Sequence, residues 1–146
     1  DLRHWRLMHD SPLCLPSSIQ GPLRNSAHPF QLPDCGGERQ LGLVVHRRRR
    51  GTYVYDQYLM VLSADSMLPL RISREPVLSV NARALALDLG FRKNSGVCYV
   101  SSVVVHEGMV QIYFNLFDCR TCVLALPAAN LRRLIDEDHV FVALTA

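Results

Sequence analysis

From Leu41 onward the apolar residues fall in short bursts, too brief for helical stripes and bounded by turn residues. Leu41 to His46 is one such run, and Thr52 to Leu62, rich in Tyr, Val and Leu, is a second. β-branched and aromatic residues in runs of this length predict strands. The strongest signal is a hairpin: Cys98 to His106, then Glu107-Gly108, then Met109 to Phe117, both arms dominated by Val, Ile, Tyr and Phe. A two-residue connection ending in glycine suits a tight turn. His139 to Thr145 predicts a closing strand. Between these, Pro127 to Glu137 predicts the single helix, with proline at its start and Leu131, Leu134 and Ile135 on one face. Val77 to Leu87 stays open, because Ala-Arg-Ala-Leu-Ala also suits a helical turn. Short strands with one helix near the C-terminus predict an all-β, antiparallel sandwich.

Ahead of this region, residues 1–38 hold five of the eight prolines together with scattered Ser, Gly and Asn. Proline fixes φ and removes a backbone donor, so the segment predicts extended, looping chain. Trp5, Leu7, Met8 and Leu13 are its candidate anchors to a core, and Asp34-Cys35-Gly36-Gly37 marks a turn. The expected division is a proline-rich segment over 1–38, packed on or flanking a β-sandwich domain over 39–146.

Composition narrows the class. A chain of 146 residues is the size of one domain with a substantial core, and 49% hydrophobic against 20% charged residues argues against wholesale disorder. No apolar run reaches the roughly 18 residues of a membrane span. With no initiator Met and no signal-peptide pattern, the expectation is a domain excised from its targeting segments. Fifteen of the sixteen basic residues are Arg, Lys93 being the exception, yet a net charge of +3 is too small to argue for nucleic acid. Five cysteines are too few for a disulfide scaffold, and the odd number leaves at least one thiol free or paired between chains.

Candidate chemistry is sparse. The run Arg47-Arg48-Arg49-Arg50 reads either as a phosphate-neutralising patch or as a solvated loop between strands, and few other positive charges flank it. Cys119-Arg120-Thr121-Cys122 has dithiol spacing, but a structural zinc site needs two further ligands and no second pair is in sequence. A local disulfide between Cys119 and Cys122, or two half-buried thiols, is the expectation. Ser101-Ser102 lack a nucleophile elbow, and there is no phosphate loop or dinucleotide fingerprint. No catalytic residue, metal or cofactor is expected from these patterns.

One family resemblance emerges. Leu43-Val44-Val45 precede Gly51-Thr52-Tyr53-Val54-Tyr55-Asp56-Gln57. Asn94-Ser95-Gly96-Val97-Cys98-Tyr99 then lead into Val103-Val104-Val105-His106-Glu107-Gly108, and Leu131-Arg132-Arg133-Leu134 into Val140 to Leu144. In order and spacing, over about two-thirds of the chain, these resemble the receptor-binding domain of the tumour necrosis factor ligand superfamily. The chain departs from that pattern at Met109 after the turn glycine, at Val142 in the last strand, and at Cys119 to Pro127, which reads as an insertion. The resemblance implies a jelly-roll fold, a homotrimer and a protein receptor. It places Tyr53, Tyr55, Gln57, Tyr99 and Phe141 at the subunit interface and Arg71, Arg74 and Glu75 on a receptor-binding loop.

The leading expectation is therefore an extracellular, secreted or shed, non-enzymatic ligand that clusters a receptor as a trimer. Its rival is an intracellular β-rich interaction domain, of a kind a GC-rich viral genome encodes, holding a protein partner through the arginine loop or an exposed strand edge. Nucleic-acid binding through Arg47 to Arg50 is a distant third.

Overall fold

A computed structural model describes residues 15–19, 21–33, 39–52, 54–79, 97–116 and 120–144. Most of these lie in antiparallel strands: β1 (Arg24–Asn25), β2 (Phe30–Gln31), β3 (Gln40–Arg48), β4 (Tyr55–Ser63), β5 (Pro69–Ser73), β6 (Cys98–His106), β7 (Met109–Leu116), β8 (Arg120–Pro127) and β9 (Phe141–Ala143). One helix, α1 (Ala128–Asp136), occurs among the described residues. The first sheet runs β1-β3-β4-β5-β9 with β2 also on β3, and the second runs β6-β7-β8.

The β3–β4 hairpin is the centre of the first sheet, paired continuously from Gln40↔Ser63 to Arg48↔Tyr55. Alternation sends its side chains to two different cores. Val44, Leu59 and Val61 face the second sheet and the helix, meeting Val100, Val110, Leu131, Ile135 and Phe141. Val45, Tyr58, Met60 and Leu62 face the other way and are covered by Ile19, with Leu15 and Leu23 packed alongside. Burial on both faces explains why Tyr58-Leu59-Met60-Val61-Leu62 is continuously apolar.

Part of the proline-rich segment belongs to this sheet. Arg24↔His46 and Phe30↔Gly42 pair β1 and β2 with β3. Gly42 is required there, because a Cβ would lie 2.4 Å from the tip of the buried Phe30 ring. The anchors expected at Trp5, Leu7, Met8 and Leu13 fall outside the described residues, as do most of Val77 to Leu87 and the Asp34–Gly37 turn.

The β6–β7 hairpin forms where expected. Its turn residues both have positive φ, 47° at Glu107 and 73° at Gly108. That is the two-residue turn whose twist matches the strands, and it favours Asn over Glu at the first position. Glu107→Asn should raise the unfolding free energy by about 0.5–1 kcal/mol without altering the circular dichroism spectrum, as chemical denaturation will report. Gly108 also caps the helix, which has no side-chain cap: its carbonyl accepts the Ala128 N–H at 2.8 Å.

Within the Cys119 to Pro127 stretch, Arg120–Pro127 is strand β8, paired along its length with β7. Two expectations need correction. Pro69–Ser73 is strand β5, so Arg71 lies in the sheet and not on a loop. Leu134 does not join the buried helix face. At 100° per residue it sits roughly 60° from Leu131 on the side away from Ile135, and it is exposed while Ala128, Leu131 and Ile135 are buried.

Candidate functional site

At the end of the main core nearest the β3–β4 turn, apolar packing gives way to a buried polar chain. His46 and Gln57 are register partners, and Ser26, just after β1, lies between them. The Gln57 side-chain amide donates to the Cys98 carbonyl at 2.7 Å, which orients its oxygen toward Ser26. That oxygen can only accept, so the Ser26 hydroxyl donates to it at 2.8 Å. The serine has then spent its one hydrogen, and its 2.8 Å contact with His46 Nδ1 requires the imidazole to donate. His46 is therefore the Nδ1–H tautomer, with Nε2 carrying the lone pair. Burial, and then the nearby Arg24 charge, hold its pKa below the usual histidine value, which favours this neutral form. Tyr55 and Tyr99 set their rings edge-on to the imidazole at 5.3 and 5.4 Å.

A serine beside a histidine invites comparison with a nucleophile and its base. The proton inventory opposes it. A base must accept the serine proton, but here Nδ1 donates and the hydroxyl is committed to an amide oxygen. Cys98 is equally unsuited to attack: its thiol is free and buried, and burial, with Cys122 adding to it, pushes its pKa up to about 11. Among the described residues no three His, Cys, Asp or Glu side chains converge as metal ligands.

Strand alternation divides the arginine run. Arg47 and Arg49 reach the Asp56 carboxylate, itself 1% exposed: Arg47 Nη2 at 3.1 Å, and Arg49 as a fork through Nε at 2.9 Å and Nη2 at 2.8 Å. Arg47 also donates to the Ser18 carbonyl, tying the covering segment to the sheet. Arg48 turns to the other face, where Pro22, Arg24, His46, Arg48 and Tyr55 enclose a concavity of about 220 Å³. Gly21, Pro22 and Arg47 to Arg50 line an adjoining one of about 550 Å³. Thr52 closes the turn, donating its hydroxyl to the Arg49 carbonyl and accepting the Val54 N–H. The run is thus half strand and half turn, where the sequence left open a phosphate-neutralising patch or a solvated loop between strands.

A different kind of surface lies on the second sheet. β8 pairs with β7 alone among the described strands, so no described strand covers its other edge. Its burial is slight along the whole length, with Val123 and Leu124 exposed at 55% and 43%. From Thr121 to Leu126 it carries no charge.

The residues expected at a subunit interface scatter. Gln57 is fully buried in the polar chain, and Phe141, 2% exposed, is core. Both are completed within one chain and offer nothing to a neighbour. Tyr55 and Tyr99 are half-buried against His46; Tyr53 lies outside the described residues. Of the expected receptor-binding residues, Arg71 pairs with Asp138 at 2.8 Å and sits over the Phe141 ring, while Arg74 and Glu75 form an exposed bend just after β5. Cys122 is a half-buried free thiol, and Cys119, its expected partner, is outside the described residues. Sequence reasoning missed Arg24, Ser26 and His46 as a group. The signal that finds them is the antiparallel pairing of β1 with β3, carried by two residues among prolines.

No described helix is long and apolar enough to cross a membrane. No family model, curated protein or solved structure matches the chain.

Proposed function

We propose that the chain is a non-enzymatic protein-binding module that captures an extended segment by strand addition at β8. The observation that carries this reading is the β8 edge, which no described strand pairs and which is uncharged from Thr121 to Leu126. Soluble proteins blunt such edges with lysine, proline or a covering loop, because unpaired N–H and C=O groups flanked by apolar side chains template another strand. Here only Arg120 and Pro127, at the two ends, do so. A second copy of the chain is the simplest occupant. Antiparallel pairing of two β8 edges keeps the Arg120 of each copy at opposite ends of the joint ladder, so no like charges meet.

The trimeric receptor ligand implied by the tumour necrosis factor resemblance would need Gln57 and Phe141 at the subunit surface, and their burial withdraws that support. The interaction-domain reading asks only for the edge.

A fluorescent, lysine-flanked peptide copying residues 120–127, titrated by anisotropy, tests the proposal beside light scattering across a concentration series. Saturable peptide binding, or a concentration-dependent dimer, is expected, with either weakened about tenfold or more by Val123→Lys. A monomer at every concentration that ignores the peptide would overturn it. A stable particle of three chains would restore the receptor-ligand reading instead.

A further inference from the structure

Basic side chains gather at the turn end of the first sheet. Arg24, Arg47, Arg48, Arg49 and Arg50 line the two adjoining concavities; Arg47 and Arg49 share the Asp56 carboxylate, and Arg48 Nε donates to the Thr52 carbonyl at 2.6 Å. Arg24 has no acid beside it among the described residues; its charge falls on the His46 imidazole. A cluster of guanidiniums of this kind is suited to an anion.

The smaller concavity is built to a pattern. Arg24 can supply guanidinium donors, Arg48 those of its donors not given to the Thr52 carbonyl, and Tyr55 a hydroxyl. His46 is held from behind, its Nδ1–H fixed on Ser26, which is in turn fixed on Gln57. What His46 brings to the concavity is therefore a nitrogen acceptor on a rigid, buried ring. Several donors with a single acceptor match an anion that keeps one proton. A phosphate monoester fits this description, because one of its oxygens can carry a hydrogen to Nε2 while the others accept from arginine. Carboxylates and phosphodiesters have no such proton near neutral pH.

We infer that the concavity formed by Arg24, His46, Arg48 and Tyr55 binds the phosphoryl group of a phosphate monoester or of free phosphate, with one proton shared between His46 Nε2 and a phosphate oxygen. The adjoining arginine-lined space receives whatever the phosphate is attached to. The site stands apart from strand addition at β8 and does not depend on it.

Proton accounting gives the signature. Above pH 7 the monoester is a dianion, its second pKa lying near about 6, and His46 is neutral. Forming the complex then takes up about one proton per site, so affinity rises as pH falls from 8 toward 6.5. The charged and titratable groups around the imidazole are Arg24 from β1, Arg48 from β3, Tyr55 from β4 and Tyr99 from β6. Arginine and tyrosine side chains as a class change charge well above that window, so the linkage belongs to the imidazole and the phosphate.

Calorimetric titration with phenyl phosphate and with inorganic phosphate, each in two buffers of different ionisation enthalpy, tests this. Saturable one-to-one binding with net proton uptake is expected, and Arg24→Gln should weaken it about tenfold or more. Arg24 is exposed on a two-residue strand, so this variant keeps the fold, and denaturation will verify that it does. Binding of both probes points to free phosphate as the natural source, and binding of phenyl phosphate alone to an organic monoester. Diethyl phosphate binding as tightly as the monoester, an unchanged affinity in Arg24→Gln, or no saturation by either probe would overturn the assignment.

Discussion

Replacing Phe141 with alanine should lower the unfolding free energy by about 3–5 kcal/mol, the range for a buried aromatic whose cavity cannot collapse. The ring is 2% exposed and shares the main core with Leu59, Val61, Leu131 and Ile135, so strands and helix both lose a neighbour. The strand that carries it is only three residues long and is held by three register pairs with β5. Arg71, whose guanidinium sits 5.8 Å from the ring centre, loses its platform as well. For a chain of this size the melting temperature should drop by roughly 10 °C. The same experiment separates two views of the residue. A core Phe141 loses stability at every protein concentration, whereas an interface residue would show its cost as weaker association. Denaturation at two concentrations, with light scattering in parallel, reads the difference, and a concentration-dependent loss would return Phe141 to a subunit interface.

Asp56→Ala should cost about 3 kcal/mol, because it strands two arginines that the fold has brought to one carboxylate. The figure stays below the upper range for buried pairs since Arg49 is half exposed and water can take over part of its hydrogen bonding. Acid should reveal the same residue. Burial raises the Asp56 pKa, but the hydrogen bonds and charges of Arg49 and Arg47 outweigh it and leave the folded value below the ordinary 3.8. A depressed carboxylate contributes its full stability above the unfolded value and loses it as pH falls through the folded one. The wild-type protein should therefore lose stability on acidification below about pH 4, and Asp56→Asn should flatten that limb. Equal acid slopes in wild type and variant would show that the pair contributes nothing to folding.

The β6–β7 hairpin is legible in the sequence because all its information is local: two β-branched runs and a glycine turn. The arginine run is half legible. Charge hides its strand half, but the pairing that sets Arg47 opposite Asp56 follows once Gly51-Thr52 is taken as the turn. β5 resembles a loop although Leu70 and Ile72 alternate around Arg71, since five residues opening on proline give a weak signal. β8 is masked by the dithiol spacing of Cys119 and Cys122, which competes with the apolar run beside it. What no local pattern carries is the choice of sheet: β5 finds β9 about seventy residues later. Nor is the His46 cluster visible, since Ser26, His46, Gln57 and Cys98 are brought together only by pairing and packing. The same reason removes Gln57 and Phe141 from the expected interface. Polar or aromatic identity marks a residue as capable of an interface, while burial in the chain's own core decides otherwise.

The pairing of β5 with β9 also sets an order of assembly during synthesis. Both hairpins and the helix between β8 and β9 leave the ribosome before Phe141 does, so each can form from contacts already available. β5, by contrast, must wait with one side unpaired until β9 arrives. During that interval the nascent chain exposes the β5 edge, which synthesis itself later covers with β9. Slow translation between Arg74 and Phe141 would prolong that exposure, making the nascent chain most vulnerable to aggregation well before its last strand is made.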